Sequence, residues 1–220
     1  MSNEIAYAPV LEMVEESRAD RMGGMAAWGF LDDPKRLAFT LARYKFVAKM
    51  LAGKPRALEV GCGDAWAARI VRQAVGELVA LDIDAGLIES ARACVSDRWP
   101  IGLLQHDMAE RPLPGLGLFD AAYSLDVLEH IEPGRSHLFV KNIRASLRAN
   151  GVMIVGMPSL ESQAHASAYS KAGHINCMTQ GDFRNLMLQH FANVFMFSMS
   201  DEVVHTGFGP MSHYNLALCC

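Results

Sequence analysis

The feature that most constrains the fold of this chain is a series of short apolar runs that alternate with helical segments. The runs lie at 57–60, 78–81, 101–105, 119–124 and 152–156, and most intervening stretches carry apolar residues at helical spacing. Strands joined through helices form βαβ units, in which a parallel sheet is buried between two helical layers. The sequence therefore predicts a doubly wound α/β fold of the Rossmann type, with helices on both faces.

The last two apolar runs follow a different pattern. Residues 194–197 and 214–218 are separated by a polar, glycine-rich loop with no room for a crossover helix. Strands joined in this way pair as a hairpin, so the final strand should run antiparallel to its neighbours. We predict a seven-stranded, mostly parallel sheet over residues 56–220, preceded by a helical lid or substrate segment over residues 1–55.

Composition and charge narrow the classes of partner. The chain has 220 residues, of which 51% are hydrophobic and 20% charged, and its formal net charge is −4. Nucleic-acid-binding proteins usually carry a basic stripe that displaces counterions from phosphates, and no run of Lys or Arg is present here. We therefore expect a small-molecule partner and no nucleic acid, with the chain acting as a monomer or homodimer.

The same composition bears on compartment and on metals. No apolar run is long enough to cross a bilayer, and the acidic start of the sequence does not resemble a signal peptide, so we expect no membrane association. The five cysteines are scattered and odd in number, which indicates neither a disulfide framework nor a zinc site. His174 and Cys177, three positions apart, are too few to indicate a metal. We expect a cytoplasmic protein without a bound metal.

A glycine turn and an acidic residue mark a ligand site. In a doubly wound sheet, ligands bind beyond the carboxyl ends of the strands. Gly61 and Gly63 follow the first strand, and Asp82 ends the second strand, 21 positions after Gly61. A carboxylate at this place accepts hydrogen bonds from the hydroxyls of an adenosine ribose. Because Trp66 occupies the position where a dinucleotide site needs a third glycine, the pattern favours an adenosine ligand without a diphosphate.

Five segments then resemble the successive motifs of the class I S-adenosylmethionine-dependent methyltransferases. They are LEVGCGDA (58–65), LDID (81–84), QHDM (105–108), FDAAYSLDVLEHI (119–131) and LRANGVMIVGMP (147–158), and they occur in the family's order. The resemblance implies the family's sheet with its antiparallel last strand. It also implies a methyltransferase that uses S-adenosylmethionine and releases S-adenosylhomocysteine.

The resemblance assigns cofactor-binding roles to eight positions: Glu59, Gly61, Gly63, Asp82, Ile83, Asp107, Met108 and Leu125. The first three would hold the methionine part, with the Gly61 carbonyl accepting from its ammonium group. Asp82 would accept from the ribose hydroxyls, and Ile83 would pack on the adenine ring. Asp107 would accept from the adenine amino group while the Met108 backbone meets a ring nitrogen. Leu125 would line the methionine side of the site.

Two histidines are candidate general bases for the acceptor. His130 lies in a stretch that faces the methyl-transfer side in relatives with this motif, and its alternative role is a structural hydrogen bond. His174 lies in the polar segment 158–179, which is too polar for a core and follows a strand, where functional loops concentrate. Histidine suits proton transfer near neutral pH.

Six further residues are candidates for contact with substrate: Trp28, Phe30, His165, Lys171, His205 and Tyr214. The two aromatic residues precede the first predicted helix, where a lid would cover the pocket, and core packing is the alternative. Lys171 with His174 would receive an anionic acceptor, unless the loop is simply solvated. His205 and Tyr214 flank the terminal hairpin, an edge that lines acceptor pockets in the family.

We therefore predict a methyltransferase that modifies an oxygen or nitrogen of a polar small molecule, a sugar or another metabolite. The turn after the fourth strand reads Ser124-Leu125-Asp126-Val127, unlike the Asn/Asp-Pro-Pro-aromatic turn of methyltransferases that modify amino groups of DNA bases. The alternatives are a protein methyltransferase, a non-catalytic regulatory protein that binds S-adenosylmethionine, and, disfavoured by Trp66, an NAD-dependent oxidoreductase.

Overall fold

The computed structural model describes residues 13–14 and 22–220. Most of residues 1–21, including the acidic start that we weighed against a signal peptide, lies outside the described residues. The predicted segment 1–55 is therefore described mainly from residue 22 onward. Among all the described residues, no helix is long and apolar enough to cross a membrane.

One sheet organises the described part of the chain. Its eight strands are β1 (Arg56–Val60), β2 (Glu77–Asp82), β3 (Gly102–Gln105), β4 (Phe119–Leu125), β5 (Leu147–Pro158), β6 (Val194–Ser200), β7 (Val203–His205) and β8 (Tyr214–Cys219). They lie in the order β3-β2-β1-β4-β5-β8-β6-β7. The first five in this order are parallel, and β8 runs antiparallel to both β5 and β6. The predicted mostly parallel sheet with an antiparallel last strand is confirmed.

Helices cover both faces of the sheet. They are α1 (Gly24–Asp32), α2 (Lys35–Met50), α3 (Ala68–Arg72), α4 (Ala85–Arg92), α5 (Ser136–Ala145), α6 (Ala168–Gly173) and α7 (Gln180–Leu188). One apolar cluster contains buried residues of α2, α3 and α4, and a second contains those of α5 and α7. Neighbouring strand residues divide between the clusters, since Ala57 belongs to the first and Leu58 to the second. This alternation is what a sheet buried on both faces requires.

One predicted helix boundary and the predicted number of strands were wrong. The sequence predicts a helix from 136 to 147 that ends at Asn150-Gly151, but α5 ends at Ala145 and β5 already begins at Leu147. Leu147 pairs with Phe119, and the next pair is Val152 with Ala121, so the register shifts between these two pairs. Residues 148–150 are the extra residues of β5 at this irregularity. The predicted seven strands were also one too few, because β7 is only three residues long.

The polar segment 158–179 contains regular structure. A 3₁₀ helix spans Glu161–His165, and α6 follows after Ser167, whose hydroxyl caps the helix by accepting from the Ser170 amide at 3.1 Å. Trp28 and Phe30 were expected in a segment that precedes the first helix, but they lie within α1. Both candidate substrate segments are therefore helical rather than extended loops.

Gly156 generates the first prediction, because a methyl group at this position would lie 2.6 Å from Tyr214 Cε1 and 2.7 Å from Leu216 Cδ2. Both neighbours are buried, so they cannot move aside easily. We expect Gly156→Ala to lower the free energy of unfolding by about 1–3 kcal/mol, the usual cost of overpacking a core. Urea denaturation measures this. The control is Gly134→Ala, where nothing lies within 4 Å, and equal losses in both variants would contradict the prediction.

Candidate active site

The carboxylate of Asp82 fixes the turn that follows β1. Its Oδ2 accepts from the Gly63 amide at 2.9 Å, and its Oδ1 accepts from the Asp84 amide at 3.0 Å. The Gly61 amide donates to the Leu81 carbonyl at 2.8 Å. These bonds hold the turn against the carboxyl end of β2, where the sequence predicts the adenosine site.

Both glycines of the turn are favoured by the backbone conformation, and Gly61 is also required by space. Gly61 has φ +80° and Gly63 has φ +54°, which is the left-handed region that favours glycine. A Cβ on Gly61 would lie 2.1 Å from Val127 Cγ2, and one on Gly63 would lie 2.9 Å from Met25 Sδ. The loop after β4 and helix α1 therefore approach the turn closely from two directions.

Glu59 lies beneath the turn rather than in the open cleft. It is 1% exposed, and its Oε1 accepts a hydrogen bond from the Tyr44 hydroxyl at 2.6 Å. Its Oε2 makes no hydrogen bond within the described residues. Burial raises the pKa of Glu59 to about 7; the Tyr44 hydrogen bond opposes this, and the charges of Asp82 and Asp64 add to it. Near neutral pH this carboxyl group is thus poised between its neutral and charged forms.

A cavity of about 650 Å³ opens above the turn. Its walls come from helices α1 and α2 on one side and from the ends of β1 and β4 on the other: Met25, Trp28, Phe30, Leu37, Thr40, Tyr44, Gly61, Gly63, Asp64, Trp66, Leu125 and Asp126 are among the lining residues. Asp64 holds α1 in this place, because its Oδ2 accepts from the amides of Met25 at 2.9 Å and Ala26 at 3.1 Å. The cavity thus brings together five predicted site residues: Trp28, Phe30, Gly61, Gly63 and Leu125.

The predicted adenine-side residues lie beyond β2 and β3, outside the cavity lining. Ile83 is 63% exposed, an unusual position for a large apolar side chain. Asp107 Oδ1 accepts from the Ala109 amide at 2.7 Å, and Arg135 lies 3.9 Å from Oδ2. The Met108 side chain is buried, and its amide makes no hydrogen bond among the described residues. An apolar face, a carboxylate and an unpaired amide therefore occur next to one another.

Asp126 forms a charged junction at the end of β4. Its carboxylate oxygens lie 2.7 and 2.8 Å from Nη1 of Arg43, whose guanidinium stacks 3.8 Å from the centre of the Tyr214 ring. The Asp126 amide donates to the Tyr214 hydroxyl at 3.2 Å and to the Gly156 carbonyl at 3.1 Å. Tyr214 is only 2% exposed, so its observed contacts are with this junction, and its substrate role stays a prediction.

The two candidate bases, His130 and His174, lie side by side. Their ring centres are 5.2 Å apart. His130 Nδ1 lies 2.8 Å from the Gly173 carbonyl oxygen, and His174 Nδ1 lies 2.9 Å from Gln163 Oε1. Burial and the neighbouring His130 lower the pKa of His174. A neutral imidazole at neutral pH is able to accept a proton, so the predicted base role remains chemically sound.

The predicted acceptor-side residues other than Trp28 and Phe30 do not line the cavity: they are His130, His165, Lys171, His174, His205 and Tyr214. His165 is exposed at the end of a 3₁₀ helix. Lys171 is exposed, and its Nζ donates to the Ala164 carbonyl at 3.3 Å. His205 is held by its own hairpin, with Nδ1 accepting from the Gly207 amide at 3.0 Å. Their proposed contacts with an acceptor remain predictions.

Sequence reasoning missed four residues that shape the site: Arg43, Tyr44, Asp64 and Asp126. The first two are consecutive polar residues in an otherwise amphipathic helix, which was the available signal. Asp64 and Asp126 lie within two of the quoted motifs, after β1 and β4, at the ends of strands where ligands bind in this fold class. Their partners are 39 and 83 positions away, so the contacts themselves have no local sequence signature.

Comparison with known proteins identifies the central part of the chain. Residues 58–155 match the family described as a methyltransferase domain. A probable S-adenosylmethionine-dependent methyltransferase of Mycobacterium tuberculosis is 31% identical over 122 residues, which cover 53% of this chain and 42% of the relative. The chain thus matches less than half the length of this curated relative.

Solved structures show the same fold. The methyltransferase domain of bacterial CtHen1-C superimposes with a TM-score of 0.66 at 18% identity, covering 82% of this chain and 97% of that one. The N-methyltransferase NodS of Bradyrhizobium japonicum WM9, solved with S-adenosylhomocysteine, gives a TM-score of 0.62 at 15% identity, covering 87% and 90%. At these identities the comparison shows a Rossmann-like class I methyltransferase fold.

The buried Glu59 generates the second prediction. Its folded pKa of about 7 exceeds its ordinary value of 4.5, so the stability that this group contributes is complete below pH 4.5 and is lost as pH rises through 7. We expect the free energy of unfolding of the wild type to fall by about 3 kcal/mol between pH 4.5 and 8 because of Glu59. In Glu59→Gln, whose side chain stays neutral, this fall should be absent. Urea denaturation across this pH range measures the effect.

The matched control is Glu89→Gln on the exposed face of α4. This variant makes the same chemical change at the surface and should keep the pH dependence of the wild type. If the curves for the wild type and Glu59→Gln run parallel, Glu59 is not the group responsible.

Proposed function

We propose that this chain, which carries a class I S-adenosylmethionine-dependent methyltransferase domain, transfers the methyl group of S-adenosylmethionine to a polar small molecule. The acceptor atom is an oxygen or nitrogen of a sugar or another metabolite. The observation that carries the proposal is the glycine turn, held by Asp82 at the floor of a cavity of about 650 Å³. Activity, acceptor and partners are proposals for the whole chain, because the match covers only 42% of the curated relative.

The residues around the turn fit this cofactor. Each carboxylate oxygen of Asp82 accepts one backbone hydrogen bond and keeps a second lone pair, which is free to accept from a ribose hydroxyl. The exposed Ile83 offers an apolar face for adenine, and the Met108 amide and Asp107 Oδ2 offer the donor and acceptor that its edge needs. Trp66 stands where a dinucleotide would need glycine. The donor set therefore favours adenosine over NAD.

The cofactor supplies a methyl group that is already electrophilic, so the chain's own residues have three tasks. Helix α1, held by Asp64, covers the cavity and excludes water from it. The glycine turn and Leu125 fix the methionine end relative to the acceptor, and such positioning contributes about 7–11 kcal/mol to lowering a barrier of this type. His130 and His174 are the candidate bases for the proton that an acceptor hydroxyl or ammonium loses.

Charge and cavity shape support a small acceptor. The net charge of −4 gives no general attraction for a polyanion. The aromatic walls of Trp28, Phe30 and Trp66 suit a compact molecule that stacks on rings. Residues 24–55 serve in this proposal as the lid of the predicted N-terminal segment.

Calorimetric titration with S-adenosylmethionine, S-adenosylhomocysteine and NAD tests the cofactor assignment. We expect the first two to bind and NAD not to bind. Asp82→Ala removes charge-assisted hydrogen bonds and should weaken binding by about 10- to 100-fold.

The control for this titration is Asp84→Ala, which removes the cap of α4 two positions away and should leave affinity unchanged. Equal affinities for Asp82→Ala and wild type, or no binding by a folded wild-type sample, would contradict the assignment of this pocket.

An acceptor screen tests the reaction class. We expect release of S-adenosylhomocysteine with small alcohols, sugars or amines. The rate should fall by about 10²–10⁴-fold in His130→Ala, because this variant removes a candidate general base. Turnover only with peptides would indicate a protein methyltransferase. Cofactor binding without turnover on either set would favour the regulatory role.

A further inference from the structure

Three side chains with metal-binding atoms meet near the end of β4, where Asp126 lines the cavity. Glu129 and His130 belong to the 3₁₀ helix after β4, and His174 follows α6. One carboxylate oxygen and one nitrogen from each ring lie within 4.8 Å of one another. Among the described residues, no other three side chains of this kind come so close.

Glu129 is the independent sign that this cluster needs a cation. The residue is 1% exposed, and its Oε2 has no hydrogen-bond partner within the described residues. A buried carboxylate without a partner is costly to keep charged. The guanidinium of Arg43, whose charge acts on Glu129, is already engaged by Asp126. One oxygen of the Glu129 carboxylate lies within 4.8 Å of a nitrogen of each imidazole.

Both imidazoles are oriented in the way that metal ligands usually are. Metal-binding histidines generally donate one ring N–H to a carbonyl oxygen and coordinate through the other nitrogen. His130 Nδ1 faces the Gly173 carbonyl, and His174 Nδ1 faces Gln163 Oε1. The amide of Gln163 is oriented by its own donation to the Ser159 carbonyl at 3.3 Å. Each ring therefore presents Nε2 as the nitrogen with a free lone pair.

We infer that Glu129, His130 and His174 bind a divalent transition-metal ion such as zinc or manganese. Bonds of about 2.0–2.2 Å require ligand atoms at most about 4.4 Å apart, so a small rotation of the side chains closes the observed spacing. Two imidazoles and one carboxylate suit this class of ion, whereas magnesium and calcium prefer oxygen ligands. The inference replaces our sequence-based expectation that the chain binds no metal.

The site also deepens the proposed function, on which this step rests. Three protein ligands leave coordination positions open, and exposed His130 places them on the solvent side of the cluster. An acceptor hydroxyl bound there has a lower pKa and loses its proton to solvent more readily. The two histidines then act as ligands rather than as proton acceptors, and the favoured acceptor atom is an oxygen.

Titration of untagged, metal-free protein with Co²⁺ and Zn²⁺ tests the site directly. The visible absorption of bound Co²⁺ and equilibrium dialysis of Zn²⁺ both report binding without any assay of activity. We expect one ion per chain. Glu129→Gln and His174→Asn should each lower the affinity at least tenfold, and Gln163→Ala should lower it by about 10- to 100-fold by releasing the ring of His174.

The matched control is the second histidine pair of the chain. His137 and His190 lie 3.2 Å apart, Nδ1 to Nε2, and no third metal-binding side chain joins them among the residues that the structure describes. His190→Asn should therefore bind Co²⁺ and Zn²⁺ as the wild type does. Binding that follows His190, or that is equal in wild type and Glu129→Gln, overturns the proposal, as does the absence of binding by the wild type.

Parallel titration with S-adenosylhomocysteine separates the two proposals and confirms that each variant is folded. Cofactor binding without ion binding overturns the metal site and leaves the cofactor assignment intact. Ion binding that needs Glu129, without cofactor binding, supports the metal site while the proposed function fails.

Discussion

The two hydrogen bonds accepted by the Asp82 carboxylate are the constraint on which the candidate active site depends. They join the turn after β1 to the backbone that leads into α4. Val60 pairs with Leu81, so the carboxyl ends of the two parallel strands already lie side by side before this contact forms. The carboxylate then fixes the one irregular element between them. Because the turn is fixed, Asp64 presents its Oδ2 to the amides of Met25 and Ala26 in α1, and this contact sets the position of the cavity wall.

A second junction, between Arg43, Asp126 and Tyr214, connects elements that are distant along the chain. It joins α2, the end of β4 and the start of β8. A partly buried ion pair of this kind contributes little net stability, because the loss of hydration offsets most of the attraction. Its effect here is geometric. Asp126 has φ +57°, and the bonds from its amide to Tyr214 and Gly156 hold the loop in this conformation. These bonds therefore fix the conformation of the loop between Leu125, which ends β4 and lines the cavity, and Glu129, which lies near the histidines.

The sequence predicts the central sheet well because strands buried on both faces must be mainly apolar, as 57–60 and 119–124 are. The sequence fails to predict β7 because three residues are too few to show an alternating pattern of apolar side chains. It misplaces the start of β5 because this irregular part contains an Asn-Gly pair that also suits the end of a helix. The cofactor half of the site is predictable for the same reason as the strands, since the glycine turn and Asp82 are local to them. The docking of α1 on Asp64 and the approach of His174 to His130 are set by contacts across 39 and 43 positions. Only the folded chain specifies these contacts.

The position of His174 is determined by a buried asparagine in the polar segment 158–179. The Asn176 amide donates to the Glu129 carbonyl at 3.0 Å, and its side chain donates to the Leu128 carbonyl at 3.1 Å and to Ser136 Oγ at 2.8 Å. These bonds fix the segment to the loop after β4 and to the start of α5. The polarity that indicated a solvated loop or a substrate surface therefore also has a structural purpose. In the proposed function, this segment belongs to the acceptor half of the site, and the turn at Asp82, which shares none of these bonds, belongs to the cofactor half. The two halves are thus held by separate contacts on one sheet, and the proposed acceptor half is the one that local sequence motifs describe least.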